Sequence, residues 1–216
     1  MNFEYRLGDL VMSRVHPWYP MDHCKYFPTS IACEYLKSIP NCRVGNHTKY
    51  KEDCIYNHLD TLEYVIKNRL RNIPRKHRLS IHLRLGDTVD AEPFKSYCND
   101  PVLKGCGYVY PIHYYKKLKI RPNIGVVVFT NTIKGMNEYA HNSHNYILKL
   151  YEQFKKNKIY VVDHRVADED LLDMLTSTYL IPSRGGEFAN VLRKMAPRFN
   201  VTVVNPSAHY PIYINR

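Results

Sequence analysis

The chain has 216 residues, of which 44% are apolar, and a formal net charge of +11. That is enough apolar material for one substantial core or two small ones, and it excludes a disordered chain. The basic excess favours anionic partners, whether nucleic acid, an acidic membrane or a phosphorylated small molecule, without choosing among them.

Residues 1–54 are rich in proline and show no sustained period, so loops and short helices are expected there. Nothing in the chain reaches the ~20 apolar residues that span a bilayer. The opening "MNFEYRLGDLVM" is too charged, and its apolar run too short, for a secretion signal. A cytoplasmic chain, or a soluble piece of a larger protein, is the expectation. Of the six cysteines, Cys24, Cys33, Cys42 and Cys54 fall in this first segment, and Cys98 and Cys106 lie further on. None forms the close pair of a structural zinc site. Without a signal peptide, free thiols are favoured over disulfides. The sequons Asn46-His47-Thr48 and Asn200-Val201-Thr202 carry no weight without secretion.

In 55–70, apolar residues Ile55, Leu59, Leu62, Val65, Ile66 and Leu70 recur at three and four, which predicts an amphipathic helix stopped by Pro74. The basic run "KNRLRNIPRKHR" follows, either as a solvated linker or as an anion-binding surface. From there strand and helix patterns alternate. Strands are predicted at 79–84, 124–130, 158–163, 178–182 and 199–205, and helices at 145–154, 168–177 and 187–196. The run "IGVVVFT" is nearly all apolar and suits a central parallel strand buried on both faces. The long stretch 85–123 reads as a loop-rich excursion over a cleft, ending in a helix near 112–118. The fold expected is α/β, a Rossmann-like parallel sheet with helices on both faces. The expected division is a reduced N-terminal region, 1–77, and a Rossmann-like domain, 78–216.

Ligands of open parallel sheets sit beyond the carboxyl ends of the strands. Each polar cluster here follows a strand: Arg84 to Asp87, Thr130 to Thr132, Asp163 to Arg165, and Ser183 to Gly186. Alternation puts Ser80, His82 and Arg84 on one face of the first strand and Leu79, Ile81 and Leu83 on the other. A guanidinium at that strand's end suits a diphosphate, and the alternative is an internal Arg84–Asp87 pair. Gly86 allows a close turn. Gly185 and Gly186 open a helix whose N-terminus attracts an anion. No Walker motif, GxGxxG or HExxH is present, so neither a P-loop nor a metal-hydrolase site is expected.

"SIHLRLGDTV" resembles the His-x-Arg-x-Gly-Asp region shared by α-1,2- and α-1,6-fucosyltransferases and protein O-fucosyltransferases. "YLIPSRGGEFANVLRKM" resembles their C-terminal segment, closest to the O-fucosyltransferase-like proteins, and "GVVVFTNT" resembles the strand between them. The resemblance covers about 78–197 in the family's order. It implies the donor domain of a GT-B glycosyltransferase that moves a sugar, fucose by analogy, from GDP-fucose or a related nucleotide sugar to a glycan or other hydroxyl acceptor, with inversion and without metal. It implies Arg84 on the β-phosphate, with His82, Gly86, Thr130, Asn131, Asp163 or Asp168, Ser183, Arg184, Gly185, Gly186, Glu187 and Phe188 around the donor, 1–77 on the acceptor side and 78–216 binding the nucleotide sugar. The catalytic base implied is Glu92, with Asp90 and Asp87 behind it. The position after Arg84, basic in many relatives, is Leu85 here. The competing readings are a basic α/β nucleic-acid-binding protein and a catalytically inactive glycosyltransferase-like subunit.

Overall fold

The computed structural model describes residues 29, 31–38, 58–90, 100–132, 140–163, 165, 167–208 and 211–214. Two helices come first, α1 (Ile31–Ser38) and α2 (Leu59–Leu70). They are followed by strand β1 (Lys76–His82) and the short helices α3 (Asp87–Asp90) and α4 (Ile112–Tyr115). Then come β2 (Leu118–Ile120), β3 (Gly125–Thr130), α5 (His141–Phe154) and β4 (Ile159–Asp163). The chain ends through α6 (Ala167–Leu175), β5 (Ser177–Ile181), α7 (Glu187–Met195), a 3-10 turn (Ala196–Phe199), β6 (Thr202–Val203) and β7 (Ile212–Ile214).

Five strands form a parallel sheet in the order β4-β3-β1-β5-β6. The pleat sorts the side chains to two faces. Val127, Phe129 and Leu180 point to one face, where they meet α1, α2, α6 and α7 through Ile31, Leu62, Leu171 and Leu192. Leu79, Ile81, Val126, Val128 and Ile181 point to the other, where α4 and α5 add Tyr115, Tyr146 and Leu150. The arrangement is therefore a mixed α/β domain with a parallel sheet flanked by helices. β3 is buried on both faces, as its unbroken apolar run requires. The boundary expected at 77 falls inside β1, and the described part of the region before it shares the core under the sheet.

Several element ends differ from their sequence patterns, each for a local reason. β1 starts at Lys76, whose N–H donates to the Thr176 carbonyl at 2.8 Å beside the start of β5. α5 starts at His141 rather than 145 because a distant carboxylate caps it, as described below. The helix near 112 stops at Tyr115, and the chain then forms β2, which pairs in parallel with β7 in a second sheet that periodicity did not indicate. The last predicted strand shrinks to Thr202–Val203 because Asn200 adopts a left-handed conformation, φ 53°, which interrupts extended chain. Residues 55–57 lie outside the described set, as do 91–99 with Glu92.

Candidate functional site

The order of the sheet reverses direction between β1 and β5. From β1 the chain moves to β3 and β4 on one side, and from β5 it moves to β6 on the other. Loops leaving the carboxyl ends of β1 and β5 therefore diverge, which is where open α/β sheets take ligands. The two most suggestive sequence segments meet at that point. The Arg84 backbone N–H donates to Ser183 Oγ at 2.6 Å, and that hydroxyl donates to the His82 carbonyl at 3.1 Å. The Ser183 N–H reaches His82 Nδ1 at 3.5 Å, and the His82 ring stands edge-on to Phe188 with centroids 5.0 Å apart. Ser183 is buried, so this serine splices the end of β5 onto the end of β1.

The Arg84 guanidinium lies over the next turn. Its Nη2 is 3.0 Å from Asp87 Oδ1 and 3.1 Å from Oδ2. Both side chains keep about a fifth of their surface, 20% and 19%, so the pair is held by the protein yet reachable from solvent. Gly86 turns the chain at φ 66°, and its N–H donates to Ser143 Oγ at 2.9 Å. Asp90 does not stand free beside them. Its Oδ1 accepts the Asn142 N–H at 2.7 Å and its Oδ2 accepts the Ser143 N–H at 2.9 Å, so its carboxylate caps α5, whose own N-cap residue, Ala140, has no side-chain acceptor. Asn142 Nδ2 adds a bond to the Val89 carbonyl at 3.1 Å. Asn142 and Ser143 are thus positioning residues that the sequence reading missed. They sit in "HNSH", a segment with no apolar period to flag it.

The glycine turn after β5 is held as firmly. A Cβ on Gly185 would stand 2.3 Å from the Gly107 carbonyl oxygen, so the excursion loop approaches this turn as only glycine permits. Gly186 is the N-cap of α7 at φ 94°, no side chain caps the helix, and the Tyr108 ring lies against that turn. Arg184 is exposed and donates to the Cys106 carbonyl at 3.1 Å, tying the excursion to the same place. Arg193, another residue missed from sequence, reaches back from α7 to the carbonyls of Ser183 and Arg184. It braces the turn from below. The side chain of Glu187 is outside the described set.

At the end of β3, Thr130 Oγ1 and both side-chain atoms of Asn131 are buried without a hydrogen-bond partner. Such groups are costly to leave unpaired. Alternation from Phe129, which pairs with His82, places Asn131 on the His82 face. Asp163 accepts the Thr132 N–H at 3.0 Å and the Thr132 hydroxyl at 2.6 Å, so it anchors the end of β3.

Several other charged groups serve the fold. Asp168 Oδ2 accepts the Ile31 N–H at 3.0 Å and so caps α1. The basic run is largely spoken for: Lys67 pairs with Glu63, Arg69 with Glu34, Arg75 with the Phe199 carbonyl, and Lys76 and Arg78 with Asp173. Burial pushes Asp173 up, but the Lys76 hydrogen bond and the charges of Arg78, Lys76 and Arg165 outweigh it and hold the carboxyl below its ordinary value. Asp170, one turn earlier, is raised by burial to about 7, despite Arg165 at 3.6 Å. Among the described residues there is no group of three or more His, Cys, Asp or Glu side chains able to hold a metal, and no helix long and apolar enough to cross a membrane. Cys33 and Cys106 are both disulfide-bonded, which corrects the expectation of free thiols.

No family model matches the chain, and neither a curated protein nor a solved structure does.

Proposed function

We propose that the crevice between β1 and β5 binds the diphosphate of a nucleotide sugar and that the protein is a metal-independent, inverting glycosyltransferase. The donor proposed is GDP-fucose or a related nucleotide sugar, and the acceptor is a hydroxyl of a glycan or another molecule. One observation carries this reading: the Ser183 splice, which joins the Arg84 backbone at the end of β1 to the segment leading into α7, whose N-terminus has no side-chain cap.

Departure of a nucleoside diphosphate develops one further negative charge on a diphosphate that is already anionic, and that charge must be stabilised. A guanidinium and a helix N-terminus supply that stabilisation through fixed donors that need no reorganisation. Asp87 keeps Arg84 aimed and yields one side of the fork when the phosphate arrives. The unpaired amide of Asn131, on the His82 face, offers a donor and an acceptor to the donor's hydroxyls. In the proposed reaction the acceptor oxygen attacks the anomeric carbon, the bond to the β-phosphate oxygen breaks, and an acid near Arg84 takes the hydroxyl proton. Glu92 and Asp87 are the acids proposed, and Asp90 is not, because both of its oxygens are committed to α5.

Calorimetric titration with GDP-fucose, GDP-mannose, UDP-glucose, GDP and UDP, all with EDTA present, tests the proposal. The expected result is saturable binding to one nucleotide family. Failure of every ligand to bind would sink the reading.

A further inference from the structure

The sequon Asn200-Val201-Thr202 has no part in the crevice, and the structure changes what it means. Asn200 closes the 3-10 turn after α7 in a left-handed conformation, φ 53° and ψ 33°, with its N–H bonded to the Pro197 carbonyl at 3.0 Å. That geometry accounts for an asparagine at this position, since asparagine tolerates it better than most residues. Asn200 is exposed, and no hydrogen bond to its side-chain amide is found among the described residues. Thr202 is also exposed, on the edge strand β6, while Val201 between them is buried and holds the triplet to the fold. Acceptor amide and hydroxyl are therefore both presented outward at a surface turn.

Two further observations bear on it. Cys33 and Cys106 are disulfide-bonded, the state expected of a chain that folds in an oxidising compartment, where sequons are used. In addition, Asn200 precedes β6 and so lies at the amino edge of a parallel sheet, whereas Arg84 and Ser183 follow their strands at the carboxyl edge. A large substituent at Asn200 would stand at the end of the sheet opposite the crevice and would shield the unpaired edge of β6.

We infer that Asn200 is an N-glycosylation site and that the protein matures in an oxidising, secretory-type lumen. An oligosaccharide carried on a lipid diphosphate is transferred whole. The bond from its reducing-end C1 to the phosphate oxygen breaks, C1 joins Asn200 Nδ2, the amide gives up one proton, and the lipid diphosphate leaves. The reaction needs neither oxidant nor reductant, and the inference stands whether or not the crevice binds a nucleotide sugar.

The full natural chain, produced in eukaryotic cells, is alkylated before reduction, digested, and treated with peptide N-glycosidase in heavy-oxygen water. Peptide mass spectrometry then reads each site separately. The peptide carrying Asn200 is expected to appear as heavy-labelled aspartate in most copies, with Cys33 and Cys106 protected from the first alkylation. Thr202→Ala is expected to abolish the label and Thr202→Ser to retain it. Both replace an exposed side chain and leave the left-handed Asn200 intact, so loss of the label is not loss of the fold. An Asn200 peptide without label overturns the inference, whether the cysteines are oxidised or reduced. A label that survives Thr202→Ala overturns it equally.

Discussion

At the scale of single residues, the Arg84–Asp87 pair and Gly185 make the sharpest demands. Arg84 is only partly covered, so its removal leaves no large cavity, and what it loses is charge-assisted bonding to an anion. Arg84→Ala is expected to weaken nucleotide-sugar binding by about 30-fold or more, the equivalent of ~2 kcal/mol or above, with the thermal midpoint little changed. Calorimetry beside differential scanning fluorimetry checks both halves, and an unchanged Kd would remove Arg84 from the site. Gly185→Ala has the opposite signature. Its new methyl meets the Gly107 carbonyl oxygen, a backbone atom that cannot swing aside. The turn or the excursion must shift, with an expected cost of ~1–3 kcal/mol and a loss of ligand binding. A variant of unchanged stability would show that the close approach is not needed.

At the scale of elements, caps supplied from far along the chain decide where helices begin. α5 gains four residues over its sequence pattern because Asp90, carried on α3, accepts its first free N–H groups. Asp90→Ala is expected to destabilise the protein by ~1–2 kcal/mol. It should also raise hydrogen exchange at Asn142 and Ser143 before any other part of α5, a local effect that peptide-resolved exchange would read. Loss at the far end of the helix instead would contradict a capping role. The same bolt holds Gly86 through Ser143, so the variant also loosens the loop that bears Arg84. Leu85 belongs to this element-scale account. It is buried in the core under β1, which is why a basic side chain would not be tolerated there.

At the scale of the whole molecule, two neighbouring carboxyls on α6 pull stability in opposite directions with pH. Asp170 titrates near 7 in the fold against 3.8 unfolded, so the folded state holds a proton the unfolded state has already lost. Stability contributed by that proton falls as pH rises across this window. Asp173 is depressed by Lys76, Arg78 and Arg165, so its contribution is present at neutral pH and is lost as the solution becomes acidic. Stability is therefore expected to peak on the acid side of neutrality. Asp170→Asn removes the charge that burial penalises and is expected to stabilise the protein at about pH 8 by ~2–4 kcal/mol, with almost no effect near pH 4. Chemical denaturation across that range measures it, and a pH-independent difference would refute the assignment. Around Asp173, three cations from β1 and the β4–α6 junction converge on one carboxylate. Most of the basic run 67–78 is thus paired within the fold.

The sequence by itself determined the class of the fold, because the signals involved are local. Strand alternation sorted Leu79, Ile81 and Leu83 from Ser80 and His82, and the unbroken apolar run of 124–130 marked a strand buried on both faces. It also drew attention to Arg84, Ser183 and the paired glycines, since polar residues directly after apolar strands stand out in any reading along the chain. Only the tertiary structure decided how those residues meet. The order of the strands brings β5 beside β1, and that order lets Ser183 bond to residues about a hundred positions away. It assigned Asp90 to a helix cap, Arg193 to the glycine turn and Gly185 to a close approach by the excursion loop. Pairing of β2 with β7 and the oxidation of Cys33 and Cys106 belong with these. Each depends on a contact between distant segments, and residue spacing along a chain carries no information about which distant atoms will come within bonding reach.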